Sequence, residues 1–287
     1  MPLSFTNEHI AVYQSRLYLM NSAVIQTDDL VLVTDPGYLP DEVSELRGYV
    51  DCIRGERPLY VLYTHSDFDH IAGYGAFPDA IHLAGEAFAE RTDRAAAVRE
   101  VMRYDDEYYI DRPYAIDYPR ADVVCRAGET LKVGGTTLSF YDAGGHNPDG
   151  ILTVVQPLGI LIAGDYLSDI EFPFVYHSFA EYRSTLRTLE ALAAAAGDTV
   201  RLQLLLPGHG SVTEDGAELQ KRIRDSHAYL ELVEAEAASE SGERGAFDAF
   251  LDTQGYRFRL CMGRRHEDNL MVFKQERERE SESGGVR

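Results

Sequence analysis

The sequence is poor in positive charge, in cysteine and in long apolar runs, and each shortage removes a class of function. Among 287 residues, 27 Lys and Arg face 48 Asp and Glu, a formal net charge of −21. A chain this acidic, with its basic residues mostly scattered, is not built to neutralise a nucleic-acid backbone or an anionic membrane surface. The one basic pair, Arg264-Arg265, followed by His266, sits beside Glu267 and Asp268 and reads as a solvated face. Cys52, Cys125 and Cys261 are odd in number and far apart, which argues for reduced, mostly buried thiols and against a disulfide framework. No apolar stretch approaches membrane-spanning length. The N-terminal MPLSFTNEHIAVYQSRLYLM lacks the basic start and apolar centre of a signal peptide. No repeat of solenoid period is present. The expectation is a cytoplasmic protein with a small-molecule substrate, no nucleic-acid or membrane partner, and a homodimer left open.

What is present is a hydrophobic fraction of 45%, enough for a substantial core. Consecutive strands are predicted between residues 10 and 35, ending on Leu30-Val-Leu-Val33 and stopped by Pro36-Gly37. A helix is predicted over Asp41–Val50, then the strand that starts at Leu59. Glu86–Arg103 reads as one helix, followed by a segment rich in tyrosine (Tyr104, Tyr108, Tyr109, Tyr114, Tyr118). Gly134-Gly135 marks a hairpin, and Gln156-Pro-Leu-Gly159 a second one between Ile151–Val155 and Ile160–Ala163. Ser178-Phe-Ala-Glu181 has the form of a capping box and opens a helix that Gly197 should end. A long helix is predicted from about Asp215 to Ala238, with His227 on its buried face as a core histidine. From Lys274 the polar run QERERESESGGVR predicts a frayed or disordered tail.

The chemistry gathers at strand ends. His65-Ser-Asp67-Phe-Asp69-His70 follows the apolar run Leu59–Tyr63, and a strand that ends on polar residues delivers them to one rim of a sheet. His146 in GGHNPDG, Asp165 in IAGDYL and His209 in LLPGHG each follow an apolar strand within a glycine-containing loop. Imidazole and carboxylate are ligands for borderline divalent ions, Zn²⁺ among them. Asp35, before Pro36-Gly37, is placed to orient a site histidine. Phe172 and Phe174 read as core more than pocket, and His177 as a candidate acid or as a neighbour of the Ser178 cap.

In order, glycine neighbours and spacing, these residues resemble the metallo-β-lactamase superfamily signature, His-x-His-x-Asp-His followed by a distant His, Asp and His. The resemblance spans about residues 20–212. It implies an α/β fold, an αββα sandwich of two mixed β-sheets packed face to face with helices outside and a metal site at one sheet edge. Residues 1–240 would form the catalytic domain, with the Tyr-rich insertion around 86–122, and 241–287 a C-terminal extension with a flexible tail. One ion would be held by His65, Asp67 and His146, the other by Asp69, His70 and His209, with Asp165 bridging; Asp69, His70 and Asp165 would carry the catalysis. The implied reaction is hydrolysis of an ester, thioester, lactone or phosphoester by a hydroxide between two divalent ions, most simply Zn²⁺.

Asp67 departs from the family, which usually has His there. A carboxylate keeps the position a ligand but makes the site richer in oxygen, moving preference towards Fe or Mn. Flavodiiron proteins of the same superfamily carry Glu at this position, which raises a diiron redox protein as the alternative. They carry a flavodoxin-like domain, and no phosphate-loop pattern follows His209 here. A non-catalytic metal-binding or sensor module is the third reading. Asp165 resembles the hydrolase branches more than the true lactamases.

Overall fold

The computed structural model describes residues 3–195, 201–239 and 245–284. The first half of the chain runs β1 (Leu3–Thr6), β2 (Ile10–Gln14), β3 (Asn21–Gln26), β4 (Val31–Thr34), α1 (Pro40–Ile53), β5 (Leu59–Tyr63), α2 (Phe68–Ile71), a 3₁₀ turn (Tyr74–Ala76), β6 (Ile81–Gly85), α3 (Glu86–Glu90), α4 (Arg94–Tyr108) and β7 (Val123–Cys125). These strands make one seven-stranded sheet in sequence order, antiparallel from β1 to β4 and parallel from β4 to β7. The second half runs β8 (Thr130–Val133), β9 (Thr136–Asp142), β10 (Ile151–Gln156), β11 (Ile160–Gly164), α5 (Phe179–Ala194), β12 (Leu204–Pro207), α6 (Gly216–Ala238), α7 (Gly245–Gln254) and α8 (Met262–Gly284). Its five strands are ordered β12-β11-β10-β9-β8, with only the β11–β12 pair parallel.

Both sheets are mixed, and both are covered on each face. Leu32, Leu62 and Leu83 of the first sheet meet Phe140, Val155, Ile162 and Leu206 of the second in the layer between them. Val31, Val33, Val61 and Tyr63, on the other face of the same strands, pack on Val43, Leu46 and Val50 of α1 and on Ala97 and Val101 of α4. Strands buried on both faces read as unbroken apolar runs, which is why Leu30–Val33 and Leu59–Tyr63 carry no polar alternation. Leu152, Val154, Leu161 and Leu205 turn outward onto α5, α6, α7 and α8. The layers are therefore α, β, β, α.

Several local expectations change. The helix predicted over Glu86–Arg103 is two helices broken at Arg91–Asp93, where the Arg94 guanidinium turns back onto the carbonyls of Ala89 and Arg91 that would otherwise continue the ladder. Ser178 accepts from the Glu181 amide, but its own amide bonds Gly145 O, and the carboxylate of Glu276 on α8 caps Ser178 Oγ and the amides of Phe179 and Ala180. The polar run from Lys274, expected as a frayed tail, is helical through Gly284. His227 is half-buried and paired with Glu190 at 2.9 Å, since its helix face meets α5 at the rim and not in the core. Of the cysteines only Cys125 is buried; Cys52 and Cys261 are exposed. Gly197, expected to end α5, lies outside the described residues.

Candidate metal centre

Register delivers the polar residues to one rim. β4 pairs β5 with Thr34 opposite Leu62, so Asp35 emerges beside Thr64 and His65. β11 pairs β12 with Gly164 opposite Pro207, so Asp165 emerges beside Gly208 and His209. The amide of Ile151 at the start of β10 bonds Thr64 O at 2.8 Å, tying the two sheets together at this rim. Glycine is needed for close approach: a Cβ on Gly208 would lie 2.4 Å from Asp165 Oδ1, and one on Gly145 2.4 Å from the amide of Tyr182.

All seven predicted residues converge there. His65, Asp67, His146 and Asp165 form one group, and Asp69, His70 and His209 another, the candidate ligand atoms within each lying within 4.8 Å of one another. Asp165 faces both: its Oδ2 is 3.2 Å from His146 Nε2, and its Oδ1 is 3.1 Å from His70 Nε2 and 3.3 Å from His209 Nε2. Asp67 Oδ2 lies 3.2 Å from His146 Nε2 and 3.5 Å from His65 Nε2, while Oδ1 accepts from Asn147. Asp69 Oδ2 is 3.5 Å from His209 Nε2.

The outer nitrogen is hydrogen-bonded elsewhere in three of the four imidazoles. His146 Nδ1 is 2.7 Å from Phe174 O and His209 Nδ1 is 3.0 Å from Tyr18 O; a carbonyl only accepts, so both Nδ1 atoms carry the proton. The Thr64 hydroxyl donates to Asp35 and therefore accepts from His65 Nδ1, at 3.0 Å. Asp35 Oδ2, expected from the sequence to orient a site histidine, stands 3.0 Å from His70 Nδ1, at ion-pair distance and without hydrogen-bond geometry. All four histidines thus present Nε2 inward, the arrangement in which a neutral imidazole offers its lone pair to a cation. His65 Nε2, both ring nitrogens of His70 and Asp165 Oδ1 are buried without a hydrogen-bond partner among the described residues. Buried lone pairs and carboxylates at such density fit a divalent ion, which satisfies them together.

The titration shifts have the same origin. Burial opposes a charge on Asp165, but the imidazoles of His209, His70, His65 and His146 outweigh it and hold the carboxyl well below the usual range. Asp67 is lowered in the same way against its burial by His146 and His65. Burial likewise disfavours protonated His70 and His146, yet Asp165 and its neighbouring carboxylates raise both well above the ordinary imidazole value. For His209 the balance of burial against Asp165 and Glu171 lifts the pKa to about 10. The arrangement of carboxylates around the imidazoles thus favours positive charge at the cluster.

Other residues at this rim were not foreseen. Glu171 lines an open cleft of about 280 Å³ with His146, Asp165, Phe172 and Phe174, and burial pushes its carboxyl up to about 7. The available signal was a single carboxylate inside an otherwise apolar run, Ile170–Val175. Asp149, in the same loop as His146, accepts from Ser66 N and Oγ beside His65. Tyr176 packs at a tilt against His146 with ring centroids 5.0 Å apart. Phe172 is buried in the core, as expected, and still borders the cleft. His177 points away and meets Glu181 at 3.4 Å, so it supplies no acid to the cluster. From the tyrosine-rich segment, Tyr104 packs with Phe68, Tyr18 and Tyr38 into an aromatic wall next to Asp69.

Comparison with known proteins follows this geometry. The family described as the metallo-beta-lactamase superfamily matches residues 18–209. The acyl-coenzyme A thioesterase MBLAC2 of Gallus gallus is 28% identical over 182 residues, 60% of this chain and 63% of that protein. That of Homo sapiens is 26% identical over 180 residues, 60% of this chain and 62% of the relative. The chain thus spans under two thirds of the length of these relatives. Among solved structures, a metallo-beta-lactamase family protein from Thermus thermophilus superposes with a TM-score of 0.60 at 19% identity, covering 92% of this chain and 94% of that one. A double mutant of the sec-alkyl sulfatase PisA1 superposes with a TM-score of 0.63 at 14% identity, over 81% of this chain and 42% of the other. These two likenesses concern the fold.

Proposed function

We propose, since the chain belongs to the metallo-β-lactamase superfamily, that it is a dinuclear metal-dependent hydrolase of a small thioester or related ester. The observation that carries this reading is Asp165, whose two oxygens face separate groups of inward-directed imidazoles. His65, Asp67 and His146 would hold one divalent ion and Asp69, His70 and His209 the other, with Asp165 between them. When bound, such ions supply Lewis acidity for a carbonyl and a water acidified to a pKa of about 7. The Thr64 hydroxyl, Phe174 O and Tyr18 O keep His65, His146 and His209 in the tautomer that binds, and the Asp35 carboxylate stands beside His70. Asp67 adds a third carboxylate, so the donors balance two divalent charges with one further anion and admit Fe or Mn as well as Zn. Phe174 and Tyr176 give an acyl group an apolar wall. The thioester is favoured because the relatives are named acyl-coenzyme A thioesterases.

The test is elemental analysis of protein purified without added metal, followed by hydrolysis assays on matched thioesters, esters, lactones and phosphodiesters. About two equivalents of divalent metal, with thioester turnover lost to a chelator and restored by metal, is the expected result. Two equivalents of iron with oxygen consumption from an electron donor and no hydrolysis would replace it with the redox reading.

A further inference from the structure

We propose that Arg265, on α8, is the anion-recognising group of this site, taking a phosphate or carboxylate that the substrate carries away from the bond that is cut. The inference rests on the hydrolase reading and narrows its substrate class to anionic thioesters.

The run Arg264-Arg265-His266 reads as a solvated surface, but helical geometry separates its members. Arg264 is exposed, Arg265 half-buried and His266 buried. His266 bonds Tyr229 OH at 3.0 Å and Glu236 at 2.9 Å. Asn269, one turn further and 1% exposed, donates to Pro173 O at 2.7 Å and accepts from Val175 N at 2.9 Å. That face of α8 therefore grips the segment whose Phe174 carbonyl orients His146. Against this held platform the guanidinium carbon of Arg265 lies 5.8 Å from the ring centroids of both Phe174 and Tyr176.

The position is on the His146 side of the cluster: Tyr176, beside which the guanidinium lies, packs at a tilt against His146 with ring centroids 5.0 Å apart.

Its donors are also the uncommitted ones. Arg91 is used by Ser66 and Asp93, Arg112 by Asp105 and Tyr38 O, and Arg222 by Glu218, Leu167 O and Ser211 O. Arg265 makes one ion pair among the described residues, with Asp268 at 3.8 Å and both side chains partly exposed. Such a pair is weak and leaves the fork of five N–H groups available. A guanidinium stacked on aromatic rings is pre-oriented for bidentate capture of phosphate or carboxylate. In a chain of net charge −21, with Asp67, Asp69, Asp165 and Glu171 at the site, an anionic substrate requires such a local cation.

The experiment compares three thioesters on the metal-loaded protein: butyryl-coenzyme A, its neutral N-acetylcysteamine counterpart, and the succinyl thioester of N-acetylcysteamine. Arg265→Gln should cut the preference for a charged over the neutral butyryl substrate about tenfold, mainly through KM, and Arg265→Lys should recover part of it. A loss confined to the coenzyme A pair places the anion on the thiol, and one confined to the succinyl pair on the acyl chain. Preferences unchanged within about twofold in both pairs, with metal content and thermal midpoint equal to wild type, overturn the proposal. If the wild-type protein hydrolyses none of the three, the thioester form of the hydrolase reading falls, and calorimetric titration with adenosine 3′,5′-bisphosphate and with succinate decides the subsite. Weaker binding of either probe to Arg265→Gln supports it, and unchanged binding of both overturns it.

Discussion

Asp69, His70 and His209 are all buried, and their braces, Asp35 and Tyr18 O, lie within the span matched by the family. In the group of His65, Asp67, His146 and Asp165, buried and half-exposed positions alternate, and one brace depends on a residue beyond that span. His146 leans on Phe174 O, which sits between the two backbone groups that Asn269 holds. The first group is thus built by the sandwich alone, while the second is completed by α8. Asp67, the carboxylate where the superfamily usually has His, falls in the second group, the more open one and the one finished from outside.

The bluntest way to break this contrast is to remove what both groups share. Asp165→Ala should lower metal content to below about one equivalent and hydrolysis by about a thousandfold or more, by metal analysis and steady-state kinetics. Loss of metal from one group only would show that Asp165 does not serve both. Next come the braces. Asp35 stands beside His70 and reaches His65 through Thr64, so Asp35→Asn should weaken metal affinity of both groups, by about 10–100-fold in the buried one. Asn269→Ala acts through one more link and should weaken the other group by a smaller factor, about threefold to tenfold. Competition with a chromophoric chelator measures both, and equal effects would erase the distinction between the groups.

Asp67→His sharpens the comparison more gently. Metal content should stay near two equivalents while preference moves towards Zn²⁺ over Fe and Mn, as competition loading would report. No change in content, preference or rate would mean that Asp67 is not a ligand.

The smallest effect is at Glu171. Its folded carboxyl pKa of about 7 lies above the ordinary 4.5, so the native state binds this proton more tightly than the unfolded chain. That contribution is complete below pH 4.5 and is lost as pH rises through about 7. In chelator-stripped protein, Glu171→Gln should match wild type near pH 4.5 and exceed it above pH 7 by the order of 2 kcal/mol, read from denaturant midpoints.

The sandwich and the cluster were legible in the sequence largely for one reason. His65, Asp165 and His209 each follow a short apolar β run buried on both faces, which leaves the strand end as the place for a polar ligand, whereas His146 follows β9, whose burial alternates along Thr136–Asp142. His65, His146, Asp165 and His209 could be placed at the rim before any coordinates. Most of what escaped depends on packing between distant segments. One miss was local: Thr92-Asp93 marks the start of α4, with Asp93 at its N-cap, and the Arg94 side chain completes the break by bonding the carbonyls of Ala89 and Arg91. Glu171 and Arg265 look like ordinary surface charges until the loop after β11 and the face of α8 are brought together. Of the two readings of His177, the neighbour of the Ser178 cap is the one the geometry matches, with the ring 3.4 Å from Glu181 in the first turn of α5.

The grip of Asn269 on Val175 also orders events during synthesis. The two residues are separated by 94 positions, so for that stretch of translation the loop under His146 exists without the helix that holds it. Chains fold from the N-terminus as they emerge, at about 5–20 residues per second, which leaves several seconds between the making of the loop and of its clasp. The buried trio can be assembled by the sandwich in that interval; the second set of ligands gains its last brace only after α8 has emerged.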